Sequence, residues 1–392
     1  MKKELYLGLD VHKDCIATAV AEEGRKGEVR DTGAMSNDLH AVEKWITRLG
    51  KAHGQDVIMR ACYEAGPCGF GIARRLKQLG VECDVVAPSM TPTRSGDRVK
   101  TDKRDARKLA RLLRAGEVTA FYIPEPTDEA IRDLCRARSD AVDDRRRSRH
   151  RLKGFLLRHG YHYQGKSSWS GAHERYLREL VLPHPAMKVI LEEYLQAIAA
   201  AGERIERCEA AMRDLLGKWR LGPAVCALMA MKGFQTVAAM ILVSELGEIH
   251  RFAHPRQVMA YLGLVPTEKT SSDKRRQGAI TKCGNGHARW LLVECAQHYA
   301  APPKVSEELS RRQEGQSAQV RAISWRAQNR LHRRYTRLTA RRLQRNKAIV
   351  AVARELCGFI WELLRTQLCY QAQATSPSKE VVEGNRLTKH RR

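Results

Sequence analysis

Along the first hundred residues the apolar positions come in short alternating runs, broken by turns and by stretches with helical spacing. Residues 4–10, 14–21 and 28–34 predict three successive strands, with Glu23-Gly24-Arg25-Lys26-Gly27 as a hairpin turn between the last two. From 38 to 50 the period changes, with Leu39, Val42, Trp45, Ile46 and Leu49 at helical spacing. A strand at 56–63, a helix at 68–79 ending at Gly80, and a strand at 81–87 follow, and Pro88 to Arg98 reads as a loop. A helix over 103–115 sets Ala106, Leu109, Ala110 and Leu113 on one face and Arg104, Arg107, Lys108, Arg111 and Arg114 on the other.

After Pro124-Glu125-Pro126 the pattern becomes helical for a long distance. Thr127 is placed to cap a helix running to about 158, with Asp128 and Glu129 in its first turn and the basic run Arg145-Arg146-Arg147-Ser-Arg149-His-Arg151 inside it. A looser stretch, 159–171, separates it from helices at about 173–181 and 185–218. This charged region, poor in aromatics, fits a helical hairpin or coiled-coil arm for association, nucleic-acid contact or both. Gly222-Pro223 marks a boundary. Ala224 to Met231, Lys232-Gly-Phe-Gln-Thr236, and Val237 to Leu246 read as two short helices joined by a glycine hairpin. That element is either a phosphate-facing hairpin or an ordinary helix turn. A basic helix around Trp325–Tyr335 precedes an apolar one with Ile349, Val352, Ala353, Leu356, Phe359, Ile360 and Leu363, and beyond Gln371 the polar composition predicts a disordered tail.

Three strands followed by alternating helix and strand is the order of an RNase H-like (RuvC-like) α/β layer, in which strand one is central, strand four lies beside it and the last helix crosses their ends. The expected organisation is an α/β domain over 1–122, a helical coiled-coil segment over 123–220, a mainly α domain with a helix-hairpin-helix-like element over 221–365, and a tail over 366–392.

The 392 residues hold 70 Lys+Arg against 44 Asp+Glu, a formal net charge of +26, which favours a polyphosphate partner over a merely solvated surface. No apolar run approaches the ~20 residues that span a bilayer, so no membrane contact is expected. Met1-Lys-Lys-Glu-Leu5 leads directly into a strand without a signal-peptide pattern, and eleven scattered cysteines, none in Cys-x-x-Cys, predict reduced thiols in a cytoplasm and no structural zinc.

Asp10 ends the apolar run Leu5–Asp10, Glu64 ends Val57–Glu64, and Asp102 and Asp105 open the basic helix. Singly, each reads as a strand-end carboxylate or a helix cap. Together, in the strand order above, they converge as a divalent-metal nuclease centre does, where two ions about 4 Å apart flank the scissile phosphate. Asp102 and Asp105, three apart, project from one helix face, and an all-oxygen site favours Mg²⁺. A second candidate is the loop Thr270-Ser271-Ser272-Asp273-Lys274-Arg275-Arg276 with the glycine-rich turn Lys282-Cys-Gly284-Asn-Gly286, whose hydroxyls and cations suit phosphate contact or a serine nucleophile, though a Ser-Ser loop alone reads as a plain turn.

The blocks Leu7-Gly-Leu-Asp10-Val-His-Lys13, Tyr63-Glu64-Ala-Gly66, Lys100-Thr-Asp102-Lys-Arg-Asp105-Ala106, Met231-Lys-Gly-Phe234, Met259-Ala-Tyr-Leu-Gly-Leu-Val-Pro266, Ile280-Thr-Lys-Cys-Gly-Asn285 and Arg354–Trp361 resemble, in order, the DEDD insertion-sequence transposases. The resemblance spans residues 4 to about 364. It places the family's four acids on Asp10, Glu64, Asp102 and Asp105 and its serine, fifth after the proline, on Ser271. Ser272, where the family often has glycine or alanine, ranks second. It further implies a Mg²⁺-dependent, bridge-RNA-guided DNA recombinase acting on donor and target DNA at the nucleoid. It also implies a homo-oligomer in which one subunit's serine completes another's metal site. Backbone contacts are expected from the cations of the 103–115 helix, from Arg145, Arg146, Arg147, Lys274, Arg275, Arg276 and Lys282, and from Arg330, Arg333 and Arg334. The alternatives from other classes are a structure-selective endonuclease with water as nucleophile and a non-catalytic nucleic-acid-binding protein.

Overall fold

Alternation along β1 (Glu4–Val11) decides the architecture of the first part of the chain. Leu5, Leu7 and Leu9 point to one side, where they share a core with Val42, Trp45, Ile46 and Leu49 of helix α1 (Leu39–His53) and with Ile72, Ala73 and Leu76 of α2 (Gly71–Gln78). Tyr6, Gly8 and Asp10 point to the other, covered by α3 (Asp102–Arg114). β2 (Cys15–Glu22) and β3 (Val29–Ser36) extend the sheet antiparallel on one side of β1. β4 (Ile58–Glu64) and β5 (Glu82–Val86) extend it parallel on the other, in the order β3-β2-β1-β4-β5. The first strand is central and the fourth lies beside it, as expected.

The computed structural model describes residues 3–54, 56–88, 91–92, 101–271 and 274–375. Most of the expected 88–98 loop, Ser272, Asp273 and residues 376–392 lie outside the described residues. The chain divides into two compact units, Met1–Pro124 and Glu125–Arg392.

The second unit begins with α4 (Pro126–Arg158), with Glu125 at the N-cap position making no side-chain capping bond and Pro126 in the first turn, so the helix starts one residue before Thr127, the expected cap; proline is preorganised for that position. After α5 (Gly171–Glu179), α6 (Pro185–Leu216) runs back along α4, with Arg138 bound to Glu209 and Arg204 to Asp144. The 33 residues of α4 extend about 50 Å. One end of this helical hairpin shares a core with the helices that follow residue 220. Ile131 and Cys135 of α4 and Met212 of α6 are buried in one core with α7 (Gly222–Met229), α8 (Thr236–Leu246), α9 (Pro255–Tyr261), α10 (Gly286–Ala296) and later helices. A two-stranded hairpin, β6 (Pro266–Ser271) and β7 (Lys274–Ile280), stands between α9 and α10. The chain continues through α11 (Glu307–Gln313), α12 (Ala318–Ala340) and α13 (Arg345–Thr375). The last helix passes the expected boundary at 365, where Arg365 still stacks on Trp361 and donates to the Phe252 carbonyl.

Candidate metal centre and serine hairpin

The acids of the first unit are brought together by a seam of small residues. Gly8 and Asp10 of β1 pair with Ala19 and Ala17 of β2, and those alanines pack with Ala106 and Ala110 of α3. A Cβ at Gly8 would lie 2.1 Å from the Ala106 carbonyl oxygen and 2.5 Å from the Ala110 nitrogen, so the helix backbone rests directly on the strand. Thr101 caps α3 by accepting from Arg104 N, and Asp102 and Asp105 occupy its first turn. On the neighbouring strand, Cys62 faces the same helix and donates to the Leu109 carbonyl. The parallel register pairs Gly8 with Cys62 and Leu9 with Tyr63. One step further, Asp10 and Glu64 stand on adjacent strand ends and on one sheet face.

Asp10 and Asp102 lie close enough that one oxygen of each and a ring nitrogen of His12 are all within 4.8 Å of one another. His12 Nε2 is 3.1 Å from Asp10 Oδ2 and 3.5 Å from Asp102 Oδ1. The turn between β1 and β2 presents this imidazole; His12 N donates to the Cys15 carbonyl, and Asn37 Nδ2 donates to the His12 carbonyl at 2.7 Å. Burial raises the Asp10 carboxyl above its ordinary value, the charges of Asp105 and Asp102 raise it further, and His12 opposes them. Concentrated negative charge with oxygen donors is what a hard divalent cation relieves, so the donor set fits such an ion. His12 was absent from the sequence-based candidates; a turn residue carries no periodicity to mark it.

In the second unit Ser271 ends β6, in register opposite Lys274 of β7. The base of this hairpin is clamped. Gly263 (φ 62°) and Gly284 (φ 84°) allow two backbone segments to meet, because a Cβ at Gly263 would stand 2.1 Å from the Cys283 carbonyl and one at Gly284 2.2 Å from the Tyr261 carbonyl. Asn285 N donates to that Tyr261 carbonyl, and Lys282, itself at φ 56°, donates from its backbone to Gly263. In the expected glycine-rich phosphate turn, Gly284 is therefore taken up by close backbone approach.

Beneath the clamp Glu245 of α8 is buried and bound on every side. Arg136 of α4 donates to both carboxylate oxygens at 2.8 and 3.0 Å, Asn285 Nδ2 donates at 2.7 Å, and His287 Nδ1 lies 3.2 Å away. The Tyr261 hydroxyl donates to the Glu245 carbonyl. Burial alone would raise this carboxyl, yet hydrogen bonds from His287, Arg136 and Asn285 outweigh it and hold the group at about 2. Asn285 also caps α10, accepting from Ala288 N. One residue, through its carboxylate and its main-chain carbonyl, thus ties α4, α8, α9 and α10 to the root of the serine hairpin.

Several residues expected to contact nucleic acid have partners within the protein. Arg107 donates to the Val29 carbonyl, Arg146 pairs with Asp143, Arg147 with Asp144, and Arg330 with Glu355 at 2.5 Å, with Arg334 nearby at 3.8 Å. Such exposed pairs are worth little and a phosphate can displace them. Arg104, Arg111, Arg276, Lys282 and Arg333 are exposed, and Lys108 and Arg145 are half-buried. The glycine hairpin at Lys232–Thr236 is present but turned inward, with Phe234 buried and the Lys232 ammonium on the Ala301 and Pro302 carbonyls. The ten cysteines whose side chains are described are free, and no helix among the described residues is long and apolar enough to cross a membrane.

Residues 7–160 match the DEDD family model described as a transposase, and residues 226–311 match the model described as the transposase IS116/IS110/IS902 family. "Putative transposase y4qE" of Sinorhizobium fredii (strain NBRC 101917 / NGR234) is 43% identical over 363 residues, covering 93% of this chain and 89% of its own. The transposase for insertion sequence element IS1533 of Leptospira borgpetersenii is 28% identical over 347 residues, covering 87% and 99%. The transposase for insertion sequence element IS1111A of Coxiella burnetii is 22% identical over 400 residues, covering 95% and 93%.

Proposed function

Because the chain belongs to the IS110 family of insertion-sequence transposases, we propose that it recombines DNA through a RuvC-like centre of four acids and a serine nucleophile. The observation that carries this reading is the meeting of Asp10 and Asp102 around one point, with Asp105 on the same helix turn and Glu64 on the adjacent strand end. Asp10, Glu64, Asp102 and Asp105 would hold the divalent ion that a DEDD domain implies, with Mg²⁺ the natural choice for oxygen donors. When bound, such an ion neutralises charge on the phosphate and polarises it toward attack.

Ser271 is the proposed nucleophile. Its Oγ would bond to the scissile phosphorus as the bond to O3′ breaks, leaving a 5′-phosphoserine and a free 3′-hydroxyl; attack by a partner strand's 3′-hydroxyl reverses the step and releases the serine. The Glu245 clamp would set the direction in which the hairpin offers this residue. In a homo-oligomer the serine of one subunit would serve the acids of another. Target and donor choice would come from pairing with a bridge RNA, and the cations of α3, α4, β7 and α12 would hold RNA and DNA backbones. The protein would work in the cytoplasm at the nucleoid.

The test uses suicide DNA substrates in the presence of the element's RNA. Wild type should leave a protein–DNA adduct that survives denaturation, and Ser271→Ala should remove it. An adduct that persists in Ser271→Ala but not Ser272→Ala moves the assignment to Ser272. Cleavage with no adduct in any variant makes water the nucleophile. Asp102→Ala should abolish cleavage while leaving RNA binding intact.

A further inference from the structure

Away from the acids and the serine, α4 carries a cavity of about 270 Å³ that no step of the proposed reaction uses. Val142 and the Trp169 indole form its apolar lining, and every other lining residue is basic: Arg145, Arg146, Arg149, His150 and Lys153. Arg145, Arg149 and Lys153 recur every fourth residue and so form one ridge of the helix. Of these cations Arg146 is paired, with Asp143 at 3.1 Å, and Lys153 touches the Ser168 hydroxyl at 3.4 Å.

Arg149 is held by stacking. Its guanidinium carbon lies 4.6 Å from the Trp169 ring centroid, and its Nε is enclosed without a hydrogen-bond partner. Burial and the neighbouring Arg145 charge lower its proton affinity, opposed by Glu174. The like charges are therefore gathered at a cost that an anion would relieve. Trp169 is itself strained, at φ 66°, a region a bulky residue rarely adopts. The strain is maintained by the next turn of chain: Trp169 N donates to His173 Nδ1, the His173 ring meets the indole edge-on at 5.1 Å, and Ser170 caps α5. A large aromatic ring fixed in an unfavourable backbone conformation beneath unpaired cations has the parts of a single-strand site: a stacking platform and a phosphate clasp.

We infer that this cavity takes one unpaired nucleotide of a bound strand, its phosphate among Arg145, Arg149 and Lys153 and its base against the Trp169–Arg149 stack. A duplex cannot enter a space of this size without extruding a base, so the cavity selects single-stranded or flipped nucleotides. The inference rests on the reading that the protein binds nucleic acid, but it requires neither the acids nor the serine.

The experiment measures binding of the full-length Asp102→Ala protein to single-stranded ribo- and deoxyribo-oligonucleotides and to duplexes of equal charge. Added Trp169→Gly removes the ring and also relaxes the backbone at a positive φ, so the fold is retained; thermal melting checks this. Single-strand affinity should fall about tenfold with the salt slope unchanged, while duplex affinity stays within twofold. Arg149→Gln should weaken the same strands and lower the slope by about 0.7. Which oligonucleotide responds, ribo or deoxyribo, identifies the strand that enters. Unchanged single-strand affinity in Trp169→Gly, or an equal loss on duplex, overturns the inference. Failure of the adduct assay with these losses intact would fall on the serine mechanism alone.

Discussion

Gly8 and Ala106 approach so closely that a Cβ on the glycine would stand 2.1 Å from the Ala106 carbonyl oxygen. The obstacle is helix backbone, so no neighbouring side chain can move aside. Gly8→Ala must push α3 off the sheet, and with it Asp102 and Asp105. Overpacking of this kind costs about 1–3 kcal/mol. The expected outcome is a lower denaturation midpoint together with loss of DNA cleavage beyond what the stability change accounts for. Shortening Ala106 or Ala110 to glycine should rescue neither. Cleavage at wild-type rate in Gly8→Ala would show that the helix position does not matter to the centre.

Asp10 gives the centre a pH signature. Its carboxyl is raised in the folded chain, first by burial and then by Asp105 and Asp102. Between the ordinary carboxylate value and the raised one the folded state binds more protons than the unfolded state. Its contribution to stability is therefore complete below the ordinary value and lost as pH rises through the raised one. Without divalent ions, melting temperature should decline over that window, and Asp10→Asn should flatten the decline. If the acids hold a divalent ion, adding Mg²⁺ at neutral pH should restore stability in wild type and do little in Asp10→Asn. A Mg²⁺ shift of equal size in both proteins would place ion binding elsewhere.

Much of the first unit was legible because its core is two-sided. Leu5, Leu7 and Leu9 could only alternate with Tyr6, Gly8 and Asp10 in a strand, and Asp102 and Asp105 share a helix face by spacing alone. The second unit was less so. Ile131, Cys135 and Met212 are buried with α7 and α8, a contact between residues far apart in sequence that no local pattern marks. Glu245 was missed for the same reason, since Arg136 is 109 residues away and Asn285 is 40. One signal was available: a lone acid inside the apolar helix Thr236–Leu246, which when buried demands a cation and donors.

His12 should control which metals the centre accepts. An imidazole 3.1 Å from Asp10 and 3.5 Å from Asp102 adds a nitrogen donor to an otherwise oxygen set, and nitrogen favours zinc and nickel over magnesium. In wild type, micromolar Zn²⁺ should inhibit Mg²⁺-supported cleavage by competing for this set. His12→Ala should weaken that inhibition about tenfold or more, while changing Mg²⁺-supported cleavage only a few-fold. Equal Zn²⁺ sensitivity in both proteins would confine His12 to holding the turn.

Glu245 links acid stability to the serine hairpin. Its carboxyl lies at about 2 in the folded chain against an ordinary 4.5, because His287, Arg136 and Asn285 overcome the penalty of burial. A depressed carboxyl stabilises the fold above the ordinary value, and that contribution is lost as pH falls through the folded one. The shift corresponds to about 3 kcal/mol at neutral pH. Glu245→Gln should remove that dependence between about 4.5 and 2. It should also replace the charged acceptor of Arg136, whose side chain is 48% exposed, by an amide, destabilising the second unit by about 1.5–3 kcal/mol. Because the charge that holds Asn285 at the root of the hairpin is lost, adduct formation should fall by more than nucleic-acid affinity does. Glu245→Asp, which keeps the charge but shortens its reach, should recover stability before it recovers the adduct. Parallel recovery of the two would reduce Glu245 to a support of the core with no part in aiming Ser271.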